Sequence, residues 1–195
     1  MEKILTAVNE FNELLYDWVI PHLFHELYDI EEDTTKEEYE VELVKLSKDG
    51  YTLNAVPDLI VRKDDTGEKS DKSFHLDAYC FDSQPERTLF WNLLQSGRIK
   101  KLYFTGMLTH GQTEFYIQYI DPDSHTIRSY YPDFLIEKED GSLVIVEVKG
   151  DNQIDNPVVQ AKKEAAEQVA IASGMTYEII KGSDAIAGKH QELIQ

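Results

Sequence analysis

YYPDFLIEKEDGSLVIVEVKG, running from Tyr130 to Gly150, decides how this chain reads. Asp133 follows a proline at the start of one expected strand, and Glu147 and Lys149 stand two residues apart near the end of the next. Side chains in a strand alternate faces, so residues i and i+2 share one. Glu147 and Lys149 therefore project together, from a strand whose run Leu143 to Val148 is otherwise apolar enough to be central. Two carboxylates and an ammonium at a strand end are costly to desolvate unless a metal ion or an anionic ligand is present. The combination points to phosphodiester chemistry.

The turn tests the register. Glu139-Asp140-Gly141 reads as a three-residue hairpin loop, a type I turn closed by a glycine in the left-handed conformation. Pairing Lys138 with Ser142 then sets Asp133 directly opposite Glu147, on the same face, with Cβ atoms roughly 5 Å apart. A two-residue Asp140-Gly141 loop would oppose Asp133 to Val148 and throw its carboxylate to the other face.

Pro132-Asp133 followed, after a hairpin, by Glu147-Val148-Lys149 resembles the PD-(D/E)xK nuclease signature. The wider phrasing (YYPDF, a DG turn, VEVKG) is similar to the C-terminal endonuclease domain of type III restriction enzyme Res subunits and related helicase-nuclease proteins, over about Ser83 to Lys181. Transposon end-cleaving endonucleases share a similar YxPDF…EVK pattern. The resemblance implies a restriction-endonuclease-like fold and metal-dependent hydrolysis of DNA. Asp133 and Glu147 would hold Mg2+, with Mn2+ as a substitute, a hard cation wanting oxygen ligands. The carbonyl of Val148 would complete the protein ligands. Lys149 would position the attacking water and stabilise charge on the phosphoryl group. The same likeness implies helicase or ATPase and modification methyltransferase subunits or domains as partners.

Flanking segments come in a compatible order. Ser83 is a candidate N-cap, Pro85 suits a first turn, and Leu89, Phe90, Leu93 and Leu94 recur at helical spacing. Glu86 falls in that first turn, where it complements the helix dipole; relatives often contribute one more acidic metal ligand from this place. Asn156-Pro157 opens a second helix ending at Gly174, with Gln160, Lys163 and Glu164 in its opening turns. In relatives a Gln or Lys here points at the site, which makes Gln160 a catalytic candidate, while the lysines read as solvated. A short strand from Thr176 to Lys181 closes the core.

The net charge of −18 opposes a free-standing nucleic-acid binder, because phosphate neutralisation supplies most of such affinity. Arg98, Lys100, Lys101, Arg128, Lys162 and Lys163 could form only a local positive rim. Partner domains are therefore expected to supply affinity, with this chain supplying the metal and the cut. Two other classes remain open: a non-catalytic nuclease-fold module that binds nucleic acid or docks proteins, and a purely structural acidic domain. With 195 residues the chain can bury a real core. One cysteine, Cys80, precludes an intrachain disulfide and suits a cytoplasmic protein, and no segment approaches a membrane-spanning run or signal peptide.

The first eighty residues carry less. Residues 2–30 place Ile4, Val8, Phe11, Leu15, Trp18, Leu23, Leu27 and Ile30 at helical spacing, with Pro21 expected to kink the helix. YEVELVKL and VPDLIVRK alternate like strands, and a further strand is expected over Phe74 to Phe81. Asp58 and Asp77 lack a following Glu-x-Lys and read as surface or turn residues. His22, His25 and Glu26 imitate zinc ligands without a completing cluster. KKLYFTGM and TEFYIQYI look like a hairpin of the core sheet, joined by His110-Gly111-Gln112, with aromatic residues packed beneath helices. No phosphate-cradling glycine loop is present. The expected architecture is α/β: a central mixed β-sheet flanked by helices, with an N-terminal helix-and-strand extension over 1–80 and a nuclease core over 81–195.

Overall fold

The computed structural model describes residues 40–190 apart from 47 and 49. Its elements run β1 Ile60–Arg62, β2 Ala78–Cys80, α1 Gln84–Gln95, β3 Ile99–Phe104, β4 Ile117–Ile120, β5 Ile127–Tyr130, β6 Phe134–Lys138, β7 Leu143–Lys149, α2 Pro157–Ala172, β8 Thr176–Lys181 and α3 Gly182–Ala187. Short 3-10 turns cover Pro57–Leu59 and Lys63–Lys72. The helical stripe over 2–30 and the His22, His25, Glu26 group lie outside the described residues.

Four strands make the main sheet in the order β3-β6-β7-β8, antiparallel up to β7 and parallel between β7 and β8. This is the central mixed sheet flanked by helices expected from the sequence. The hairpin takes the three-residue loop: Lys138 N donates to Ser142 O at 2.9 Å, Gly141 N donates to Lys138 O at 3.0 Å, and Gly141 sits at φ 84°. Glycine reaches that φ without a Cβ clash, which is why the turn closes after three residues.

The apolar run Leu143 to Val146 of β7 suits a strand covered on both faces, which reads as a near-continuous apolar stretch. Val144, Val146 and Val148 pack with Leu89, Phe90 and Leu93 of α1 and Ala185 of α3. Ile145 packs on the opposite face with Ala166 and Ala170 of α2 and Ile117, Tyr119 and Tyr130 of β4 and β5. Val61, Phe74, Tyr79 and Phe81 join the α1 side, so packing is continuous across residue 80.

Several expectations are corrected. KKLYFTGM and TEFYIQYI do not pair: β3 joins β6, whereas β4 joins β5 in a separate two-stranded sheet. Thr105 N and Gly106 N both donate to Asp133 O, at 2.7 and 3.1 Å, which takes the chain off the end of β3. Asp121 Oδ1 accepts from Asp123 N and Ser124 N, and this turn folds β4 onto β5 instead. Residues 40–46 form no strand. Phe74 to Phe81 contributes only Ala78–Cys80, which pairs with Ile60–Arg62 as a small sheet beside the main one. Phe74 itself has φ 62°, so the backbone there cannot continue a strand.

Candidate nuclease site

The hairpin register, carried one position beyond Phe134↔Val146, sets Asp133 opposite Glu147. Both side chains face the α2 side of the sheet, with Lys149 two residues further along β7. Asp133 is fixed at its backbone by Thr105 and Gly106, and its Oδ2 accepts from Val148 N at 2.8 Å. Gly106 passes so near that a Cβ there would lie 2.9 Å from Asp133 Oδ1. Glu147 is only 3% exposed, with Oε1 paired to Lys149 Nζ and Oε2 accepting from the Tyr130 hydroxyl at 2.5 Å.

Charge is concentrated beyond what burial alone would permit. Desolvation, then the negative charges of Glu147 and Glu86, hold the Asp133 carboxyl well above the usual range, only partly relieved by the Val148 amide and Lys149. Glu86 is likewise pushed up, first by burial. Burial pulls Lys149 down, but Glu147, Asp133 and Glu86 outweigh it and leave the ammonium more basic than usual. Mutually repelling carboxylates kept together around one ammonium are an arrangement that suits a divalent cation.

Residues 109–182 match the model of the TnsA-like endonuclease N-terminal domain. This is a PD-(D/E)xK-type nuclease family, so the superfamily likeness is supported; the likeness to type III Res subunits is not shown. No curated protein matches the chain. The TnsA-like stretch contains β4 to β8, with Asp133, Glu147 and Lys149, and leaves out α1 and Glu86.

Outside that centre the predicted residues divide. Glu86 caps its own helix: Oε1 accepts from the Ser83 hydroxyl at 2.6 Å and Oε2 from Asp82 N at 3.0 Å. Its charge is nonetheless felt by Asp133 and Lys149. The Gln160 amide donates to Ile154 O at 2.6 Å. Within the expected positive rim, Lys100 is paired with Glu137, Arg128 with Asp121 and Lys163 with Glu167. Asp58 and Asp77 are exposed, as the sequence suggested. Among the described residues, no group of three or more His, Cys, Asp or Glu side chains is placed to hold a metal ion. Magnesium needs fewer, since it binds through one or two carboxylates and keeps several waters. The oxygen donors Asp133 and Glu147 therefore fit it.

Two site neighbours take places that the sequence did not specify. Lys162, expected only in a local positive rim, lies with its ammonium 5.5 Å from the ring centroids of both Tyr119 and Tyr130. Burial, then Lys149, holds it below the usual lysine range. Its spacing of four from Val158 and from Ala166, both packed residues of α2, was a legible signal. Tyr130 carried no such signal, because its position depends on β5 pairing with β4.

Proposed function

We propose that the chain is a metal-dependent endonuclease that hydrolyses DNA phosphodiester bonds. The observation that carries this reading is the convergence of Asp133, Glu147 and Lys149 on one face of the β6–β7 hairpin, in the order that the PD-(D/E)xK resemblance implies. The TnsA-like match favours the transposon end-cleaving form of this activity over the type III restriction form, a difference of partners rather than of chemistry. Asp133 and Glu147 would hold Mg2+, with the carbonyl of Val148 as a third protein donor. Such an ion, when bound, neutralises charge on a scissile phosphate and acidifies a water.

The protein's own groups do the rest. Lys149 pairs with Glu147, and its ammonium supplies the positive charge that would stabilise negative charge building on the phosphoryl oxygens. Asp133 is held rigid by backbone amides on two sides, which suits a ligand whose geometry must not drift. The net charge of −18 supports a division of labour in which helicase, ATPase or other partner subunits deliver the DNA.

The test is plasmid cleavage with Mn2+, comparing wild type with Lys149→Ala. Wild type is expected to nick or linearise supercoiled DNA, and loss of the ammonium to slow this by about 100-fold or more. Equal cleavage by both refutes the mechanism. Absence of any Mn2+ binding heat in calorimetry would favour the non-catalytic docking module, a reading supported by the fact that both Glu147 oxygens already have protein partners.

A further inference from the structure

Glu147 has both carboxylate oxygens occupied, yet the two partners are not equivalent. Lys149 reaches Oε1 on a flexible four-carbon stem, with its side chain 24% exposed. Tyr130 reaches Oε2 from a site only 4% exposed, packed against Ile145, Ala166 and Ala170. The Tyr130 ring also faces the Lys162 ammonium, and the Tyr177 hydroxyl stands 3.4 Å from its own. A rigid phenol held on several sides cannot follow a rotating carboxylate, whereas the lysine stem has rotatable bonds and can turn aside when a cation takes its place beside Glu147.

We propose that Tyr130 is a positioning residue for Glu147: its hydroxyl anchors Oε2, so that Oε1 is the oxygen presented to a divalent cation once Lys149 withdraws. The inference rests on the nuclease reading above. Release of Lys149 then does two things together, freeing a ligand oxygen and freeing the ammonium for the phosphate. Tyr130 ends β5 and Asp133 immediately precedes β6, so one short junction sets both the anchor and the opposite carboxylate. Hydrogen bonds of this kind to a ligand carboxylate typically govern metal affinity by about 10–100-fold.

The experiment is calorimetric titration of the full chain with Mn2+, alongside plasmid cleavage as a function of Mn2+ concentration. Tyr130→Phe is expected to weaken Mn2+ binding by about 10–100-fold and to raise the half-saturating Mn2+ concentration for cleavage by the same factor, with the saturated rate little changed. Incorporation of 4-aminophenylalanine at position 130 restores a donor and is expected to recover wild-type affinity. Should Tyr130→Phe fail to fold, 4-methylphenylalanine fills the hydroxyl's volume without donating and takes its place. Unchanged affinity without the donor, no rescue by the amino group, or an equal loss in Tyr177→Phe overturns the proposal while leaving the nuclease reading intact. Wild type that binds no Mn2+ overturns both.

Discussion

Asp133→Asn, measured in EDTA at pH 8, is expected to make the protein more stable although it removes a proposed metal ligand. Desolvation is the leading cause of strain at this carboxylate, followed by repulsion from Glu147 and Glu86. Directly opposed residues have Cβ atoms about 5 Å apart, and two unit charges at that separation repel by about 3 kcal/mol at an effective dielectric of about 20. Attraction to Lys149 and the charge-assisted bond from Val148 N offset much of this, leaving a net relief of roughly 1–2 kcal/mol. For a chain of this size the melting temperature should rise by about 3–6 °C. The folded pKa of Asp133 lies above its unfolded value, so the native state holds the proton longer. Wild-type stability therefore falls as pH rises from about 4, the unfolded value, through the folded one. The advantage of Asn is present at pH 8 and disappears near pH 4. Mn2+ reverses the order, because a cation at about 100 times its dissociation constant stabilises wild type by about 2.7 kcal/mol and the variant much less. Thermal melts with and without Mn2+ at the two pH values decide the matter. A variant less stable than wild type in EDTA at pH 8, or an equal Mn2+ response in both, refutes the charge-repulsion account.

Gly106→Ala sets a Cβ 2.9 Å from Asp133 Oδ1 and 3.1 Å from its Cα; the crowding should cost about 1–3 kcal/mol and weaken Mn2+ binding, as melts and calorimetry on the same sample would reveal. Tyr79→Phe removes the hydroxyl that accepts from Phe74 N at 3.1 Å and His75 N at 3.3 Å, inside a ring cluster where its own ionisation is pushed up to about 12 by burial. Two amides lose their partner in a residue of 0% exposure, so urea denaturation should register a loss of about 1–3 kcal/mol with Mn2+ affinity retained.

Legibility followed the range of the interactions that fix each element. The β6–β7 hairpin could be read because its register depends on Gly141 and on strict alternation over a few residues. Ser83 with Pro85, and Asn156 with Pro157, announce their helices locally; Ser83 Oγ accepts from Glu86 N and Asn156 Oδ1 from Val158 N. The β3–β4 pairing failed for the opposite reason. Alternating aromatics on both segments satisfy a hairpin pattern, but the competing partner of β3 is β6, thirty residues away, and its ladder is extended by the amides of Thr105 and Gly106 on Asp133 O. Tyr130 was illegible on the same ground. In Glu86 one residue serves two ends: its carboxylate caps α1, as the dipole argument required, while its charge still reaches Asp133.

Site charge reconciles an acidic chain with the proposed phosphodiester substrate. Fully ionised, Glu86, Asp133 and Glu147 against Lys149 and Lys162 leave the centre with one excess negative charge, and Lys100, Arg128 and Lys163 are paired with acids. A phosphate approaching the metal-free site meets repulsion. One divalent cation inverts the sign, and it also competes with Lys149 for Glu147, so the same event that makes the site attractive to phosphate exposes the ammonium to it. On the proposed reading, metal and DNA should therefore bind with positive coupling, each tightening the other by the same factor. Mn2+ titrations with and without a short DNA duplex should give that factor from either side, and uncoupled binding would mean that the charge of this cluster does not control the approach of the phosphate backbone.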